Sequence, residues 1–228
     1  MPADHALRPD QYKVLPPVAA KRLYTASTKR PGGRTMLLDS RMPTITNWPL
    51  TLEQFMALPE AEPALEMGPG GEITQKVSPT TEHAALQREL AARLEAHARP
   101  QHQGHAFTEQ RVVLGRIPRV PDVSFYRQAR LPLDAQGRYI AHPTTPPDLV
   151  AEIYSPRQED RRDLVAKAAW YLEQGVSLVL LVDPERRRVT AFTVEGEAVF
   201  SGDEPLPLQS FLPELRLTPS ELFAALEP

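Results

Sequence analysis

Leu86, Leu90 and Leu94 recur every four residues between Thr80 and Ala98, the spacing that lays one apolar stripe along a helix. Pro79-Thr80-Thr81 supplies the start of that helix. A second stripe, made by Leu164, Ala168, Tyr171 and Leu172, predicts a helix over residues 159–174, closed by Gly175. On either side of it stand two aliphatic runs of strand length, residues 149–154 and 178–182. After a turn at Asp183-Pro-Glu-Arg186, residues 188–194 and 197–200 read as a further strand pair. Upstream, residues 111–114 and 120–126 read as strands joined by Gly115-Arg-Ile-Pro118. Residues 64–67 and 72–77 flank Gly68-Pro-Gly-Gly71 as an N-terminal β-hairpin. Capping boxes at Thr51-Leu-Glu-Gln54 and Thr218-Pro-Ser-Glu221 open short helices, through Leu58 and to Leu226. This succession predicts an α/β fold with a mixed central β-sheet flanked by helices. Residues 127–147 form a long polar loop, a length that in a compact domain usually serves function or motion.

Residues 1–47 show no sustained period and are rich in Pro, Thr, Arg and Lys. They read as a disordered basic tail, with the folded domain over residues 48–228 and Met36 as a candidate natural start. The tail carries eight Lys and Arg against three Asp, so with the whole chain at −3 the remainder stands at −8. An acidic body argues against a protein that coats nucleic acid non-specifically, because phosphate attraction dominates such binding. It leaves room for a local basic groove or a site where carboxylates hold cations. The chain has no cysteine, which excludes disulfides, thiolate metal sites and a thiol nucleophile, and fits a reducing cytoplasm. No apolar run approaches the roughly 20 residues that span a bilayer, and the N-terminus lacks an apolar signal core. The expectation is a cytoplasmic protein with no membrane association.

Candidate chemistry begins with one misplaced acid. Glu152 sits inside the aliphatic run 149–154, where an unpaired carboxylate is costly to bury, so it needs a basic side chain or a metal ion. Lys167 falls on the apolar stripe of the following helix, three residues after Leu164 and four before Tyr171. It must snorkel out or meet a carboxylate. A structural Lys–Glu ion pair and a catalytic pair are both open readings. Asp122 offers a second acid, after Ile117 and Val120 and before Val123 and Phe125. Two carboxylates on neighbouring strands can share a magnesium ion, which favours oxygen ligands. His97, His102 and His105 lack a clean metal-ligand spacing.

An ordered set of short motifs resembles the PD-(D/E)xK nuclease superfamily, and within it the bacterial family of restriction-endonuclease-like proteins long carried as a domain of unknown function. The matching text is Thr51-Leu-Glu-Gln-Phe, Leu65-Glu66-Met67 with Gly71-Glu72-Ile73, and Val77-Ser-Pro79 followed by His83. It continues with Pro121-Asp-Val-Ser-Phe125, Pro147-Asp-Leu-Val-Ala-Glu-Ile-Tyr-Ser-Pro156, Lys167-Ala-Ala-Trp-Tyr171, Gly175-Val176 and Leu181-Val-Asp-Pro-Glu185. The resemblance implies Asp122 and Glu152 as metal ligands, with the main-chain carbonyl of Ile153 facing the metal. The superfamily pattern has a lysine where this chain has Tyr154, and the family moves it to the following helix, which is Lys167. Glu66 matches a recurrent family acid and is either an auxiliary site residue or a structural part of the hairpin.

The activity so implied is a Mg²⁺-dependent endodeoxyribonuclease hydrolysing DNA phosphodiester bonds, with Mn²⁺ as a substitute. The rival expectation is a nuclease fold of little or no turnover acting as a DNA-binding or protein-interaction module. A homodimer is expected as well, with residues 178–181 and Phe211, Leu212, Leu215, Leu222 and Phe223 as candidate surface.

Overall fold

The computed structural model describes residues 49–76, 78–155 and 161–227. The tail expected over residues 1–47 lies outside the described residues, as does the expected start of a helix at Glu159.

Thr51 caps α1 (Leu52–Met56) through a full capping box with Gln54, and the helix stops short of the expected Leu58. β1 (Leu65–Met67) and β2 (Ile73–Gln75) form the N-terminal hairpin. α2 (Thr81–Ala98) begins on the Thr80 cap and buries Leu86, Leu90 and Leu94 completely. β3 (Gly104–Thr108) follows, a strand that the periodicity left unmarked. Gly104 stands there with φ +151, and a Cβ at that position would strike the Tyr126 carbonyl of the neighbouring strand.

The expected strand pair over residues 111–126 is corrected by the structure. β4 (Val112–Leu114) pairs with β5 (Ile117–Arg119) in a small sheet of its own, and the main sheet takes up the chain only at β6 (Val123–Arg127). Pro118 explains the split. It cannot donate to a ladder, so it fits an edge strand and not the middle of a six-stranded sheet. The residues between β5 and β6, Val120 to Asp122, are thereby released from regular pairing at the sheet's margin.

β7 (Leu149–Ile153), α3 (Arg161–Glu173) and β8 (Leu178–Asp183) make a parallel crossover, continued antiparallel by β9 (Arg188–Thr193) and β10 (Gly196–Ser201). The sheet runs β10-β9-β8-β7-β6-β3. It is mixed, as expected, with β7 and β8 the parallel pair. α4 (Pro219–Phe223) opens on the second capping box and runs into a 3-10 turn, Ala224–Leu226.

Alternation along the strands assigns the two faces. Leu149, Ala151, Ile153, Leu178, Leu180 and Val182 join α2 and α4 in the larger core. Val150, Val179 and Leu181 join Leu164, Ala168, Trp170 and Tyr171 of α3 in the other. Glu152 shares its face with Val150, so it points toward α3. The same burial removes the surface expected for a dimer. Leu178 to Leu181 are buried in the sheet, Leu212, Leu222 and Phe223 are core, and Phe211 and Leu215 pack against it. No helix among the described residues is long and apolar enough to cross a membrane.

Candidate metal and catalytic centre

β6 and β7 pair antiparallel, with Val123 opposite Ala151. One residue beyond that ladder, Asp122 and Glu152 stand opposite each other, the spacing at which cross-strand side chains interact. Both are buried, at 2 % and 4 % exposure. Each of the sequence-predicted residues converges here, in two linked groups.

The first group surrounds Glu152. Lys167, one turn before Tyr171 on the buried stripe of α3, sets its Nζ 3.0 Å from Glu152 Oε1 and 3.2 Å from Glu66 Oε1. The Tyr171 hydroxyl donates to Glu152 Oε1 at 3.1 Å. Glu66 reaches in from β1, where its other partners are the Val120 N–H at 2.8 Å and the Arg119 guanidinium at 3.3 Å. Arg119 in turn lies over the Trp170 ring. Glu66 thus ties the hairpin to β5 and also contacts Lys167.

Glu66 faces two cations, Lys167 and Arg119, whereas only Lys167 forms an ion pair with Glu152, and the acids divide accordingly. Burial would raise the Glu66 carboxyl, but Lys167 and Arg119 outweigh it and leave it lowered. Burial, Asp122 and Glu66 together push Glu152 up to about 7 against the pull of Lys167 and Lys76. Burial would lower the Lys167 ammonium, but Glu152 and Glu66 hold it well above its ordinary value. Glu152 is the acid whose charge the protein alone does not satisfy.

The second group surrounds Asp122. Its Oδ2 accepts the Ile153 N–H at 2.7 Å and faces His83 Nε2 at 3.4 Å. Its Oδ1 accepts from the Lys76 ammonium at 2.7 Å. His83 Nδ1 lies 3.2 Å from Ser155 Oγ. Gln87, four residues after His83 on the same face of α2, donates to the Asp122 carbonyl and to Glu109. Burial opposes ionisation of Asp122, but hydrogen bonding and charge from His83 and Lys76 hold it well below the usual carboxylate range. Ile153 thus meets the site through its N–H, in addition to the carbonyl role that the resemblance implies.

Lys76, Glu109, His83, Gln87 and Tyr171 had no place in the site read from sequence. His83 could have been found, since it stands one turn before the Leu86 stripe where a core residue is due. Lys76 carries no such signal: it follows a short strand in a polar stretch. A cavity of about 1020 Å³ opens against this side of the site, walled there by Lys76, Gln87, Glu109 and Val120.

Two carboxylates and an imidazole make a donor set that suits a divalent cation. His83, Glu109 and Asp122 each offer a ligand atom within 4.8 Å of the others. Asp122 and Glu152 repel across the strand pair, and a shared cation would relieve that repulsion. His97, His102 and His105 take no part in this grouping.

The model of the family Uma2, described as "Putative restriction endonuclease", matches residues 52–220. The chain belongs to this family. Its described fold agrees with the crystal structure of a protein from Anabaena variabilis ATCC 29413, titled a putative nuclease belonging to DUF820. The two are 32% identical over 78% of this chain and 99% of that one, with a TM-score of 0.74. No curated protein matches the chain. Membership supports a nuclease-like function for the family fold, and the buried acids and lysines described above are what this member brings to it. Tyr154 packs against the core beneath α3, and Lys167 reaches Glu152 from that helix.

Proposed function

We propose that this protein is a Mg²⁺-dependent endodeoxyribonuclease that hydrolyses DNA phosphodiester bonds. The observation that carries the reading is the pairing of Asp122 with Glu152 across β6 and β7, with Lys167 against Glu152. Asp122, Glu152 and the Ile153 carbonyl would hold Mg²⁺, or Mn²⁺ in its place. When bound, such an ion supplies a water of lowered pKa and stabilises charge on the phosphoryl group.

The chain's own residues do the rest. Asp122 is held ionised, as a ligand must be, by Ile153, His83 and Lys76. Glu152, pushed up to about 7 by burial and Asp122, must release its proton to ligate, so metal uptake through it strengthens as pH rises. Lys167 stays charged, with its Nζ fixed between Glu66 and Glu152, and there it orients the attacking water or stabilises developing negative charge. Glu66 and Tyr171 are positioning residues for that lysine and that acid. The cavity beside Lys76 admits the phosphodiester strand. A homodimer in the cytoplasm, with two sites related by a two-fold axis for two strands, belongs to the same reading.

A second reading has its own support. Each buried acid of the site has a basic side chain beside it, and the body is acidic, which suits a nuclease fold kept as a DNA-binding or protein-interaction module. Plasmid cleavage with Mg²⁺ or Mn²⁺ separates the two. The wild type is expected to nick or linearise DNA, and Asp122→Asn and Glu152→Gln to lose about 100-fold or more. Cleavage surviving in either variant would move the site elsewhere, and an inert wild type with both metals would favour the binding module.

A further inference from the structure

Lys76 is the cation nearest to Asp122, and it is arranged as an ion would be. Its backbone is fixed at the end of β2, where its N–H donates to the Ala64 carbonyl at 2.9 Å. Its ammonium then meets oxygens from three residues: Asp122 Oδ1 at 2.7 Å, the Val120 carbonyl at 3.0 Å, and Glu109 Oε2 at 3.1 Å with Oε1 at 3.2 Å. Carboxylate and main-chain carbonyl oxygens are also what a hard divalent cation takes.

The two oxygens of Asp122 are not equivalent. Oδ2 is committed to the Ile153 N–H and faces His83. Oδ1 is the one Lys76 holds. A metal that ligates Asp122 through Oδ1 meets an ammonium already within hydrogen-bonding distance of that atom. Two cations that close, in a pocket where Asp122 is almost fully buried, repel strongly. They do not share the site. Lys76 has somewhere to go: its side chain keeps 16% exposure and borders the cavity of about 1020 Å³. A four-carbon stem pivots easily, and the strongly hydrated ammonium tolerates the move into water. Lys167 has no such exit, being wedged between two acids with only 10% of its side chain exposed.

We propose that Lys76 is a tethered cation that holds the Asp122 site closed until a divalent metal displaces its ammonium into the adjoining cavity. This rests on Asp122 as a metal ligand. It adds that metal loading is a competition within the chain, and that the loaded protein presents a freed ammonium where a substrate phosphate would enter. The role differs from that of Lys167, which stays in place in both states.

Two measurements on the full chain test it. Calorimetric titration with Mn²⁺ should show Lys76→Met binding about tenfold more tightly than wild type, or ~1.4 kcal/mol. Removing any nearby positive charge would raise affinity somewhat, so the second measurement follows Lys76 itself in the wild-type protein. Reductive methylation read by peptide mass spectrometry should modify Lys76 severalfold faster with Mg²⁺ than without. In Asp122→Asn, Mg²⁺ should make no difference to the rate. Lys76 modification that Mg²⁺ leaves unchanged or slows overturns the proposal, as does a Lys76→Met affinity no greater than wild type. If Asp122→Asn abolishes Mn²⁺ binding while Lys76 reactivity ignores metal, only the displacement is wrong. If Asp122→Asn and wild type bind Mn²⁺ alike, or neither binds it, the metal assignment falls and the displacement with it.

Discussion

Replacing Glu152 by Gln should stabilise the metal-free protein at pH 8 and leave it unchanged at pH 5. The carboxyl titrates from an ordinary value of 4.5 in the unfolded chain to about 7 in the folded one, driven by burial and by Asp122 across the strand pair. Between those two values the folded protein binds a proton that the unfolded chain has released. Stability therefore falls as pH rises through the window, and the loss is complete above about pH 7. Carrying the acid that far costs on the order of 3 kcal/mol. Four charged neighbours of the site leave the window clear. Asp122 and Glu66 are lowered, so they titrate below it, while Lys76 and Lys167 are raised, so they titrate above it. Gln keeps an oxygen to accept from Lys167 and Tyr171 but cannot ionise. Thermal melts of wild type and variant in chelator, from pH 5 to pH 8, read the difference directly, and subtraction cancels every group the two share. For a protein of this size ~3 kcal/mol is about 10 °C in Tm at pH 8. Should the wild type hold its Tm or gain on the variant across that range, Glu152 is ionised throughout, the Lys167 ion pair governs the site, and burial is not the dominant cause.

Lys167→Met should destabilise the metal-free protein by about 3 kcal/mol at pH 8, because it takes the ion-pair partner from buried Glu152 and leaves Glu66 with Arg119 alone, while leaving the increment from Mg²⁺ intact in the same thermal assay. Saturating Mg²⁺, at about 100 times its Kd, should raise the wild-type stability by ~2.7 kcal/mol, and Asp122→Asn should show none of that rise. Limited proteolysis should leave a stable core beginning near residue 48, and rapid cutting within residues 50–100 would show that the fold needs the preceding segment. Light scattering at tens of micromolar, an order of magnitude suited to weak contacts, should report a dimer, with a monomer alone counting against paired sites. Since the residues first expected at that interface are buried within one chain, a dimer would have to use other surface, such as the exposed Leu133, Tyr139 and Ile140 of the long loop.

Some of this molecule follows from local chemistry and can be read along the chain. Thr51 and Thr218 close capping boxes with residues three positions on, so both helix starts are written in adjacent text. The stripe through Leu86, Leu90 and Leu94 and the near-continuous aliphatic runs of β7 and β8 record what must leave water. Glu152 and Lys167 were conspicuous for the same reason: each is a charge at a position whose period demands burial. Tertiary structure decided what those charges meet. Lys76 and Asp122 are 46 residues apart in sequence, Lys167 and Glu66 101 apart, and neither pairing leaves a trace in any local period. A long polar side chain takes whatever partner lies within its reach once the sheet has formed, and that reach is set by register and strand order. The Val123–Ala151 register makes neighbours of Asp122 and Glu152, and Pro118 diverts β5 so that the residues before β6 are free to line the site. β3 is not legible in the period because His105, Ala106 and Phe107 are only partly buried, so the edge strand has too little apolar contrast to announce itself. Periodicity reports how much water a residue loses on folding. It is silent on which distant charge replaces that water, and the candidate centre of this protein is built from those replacements.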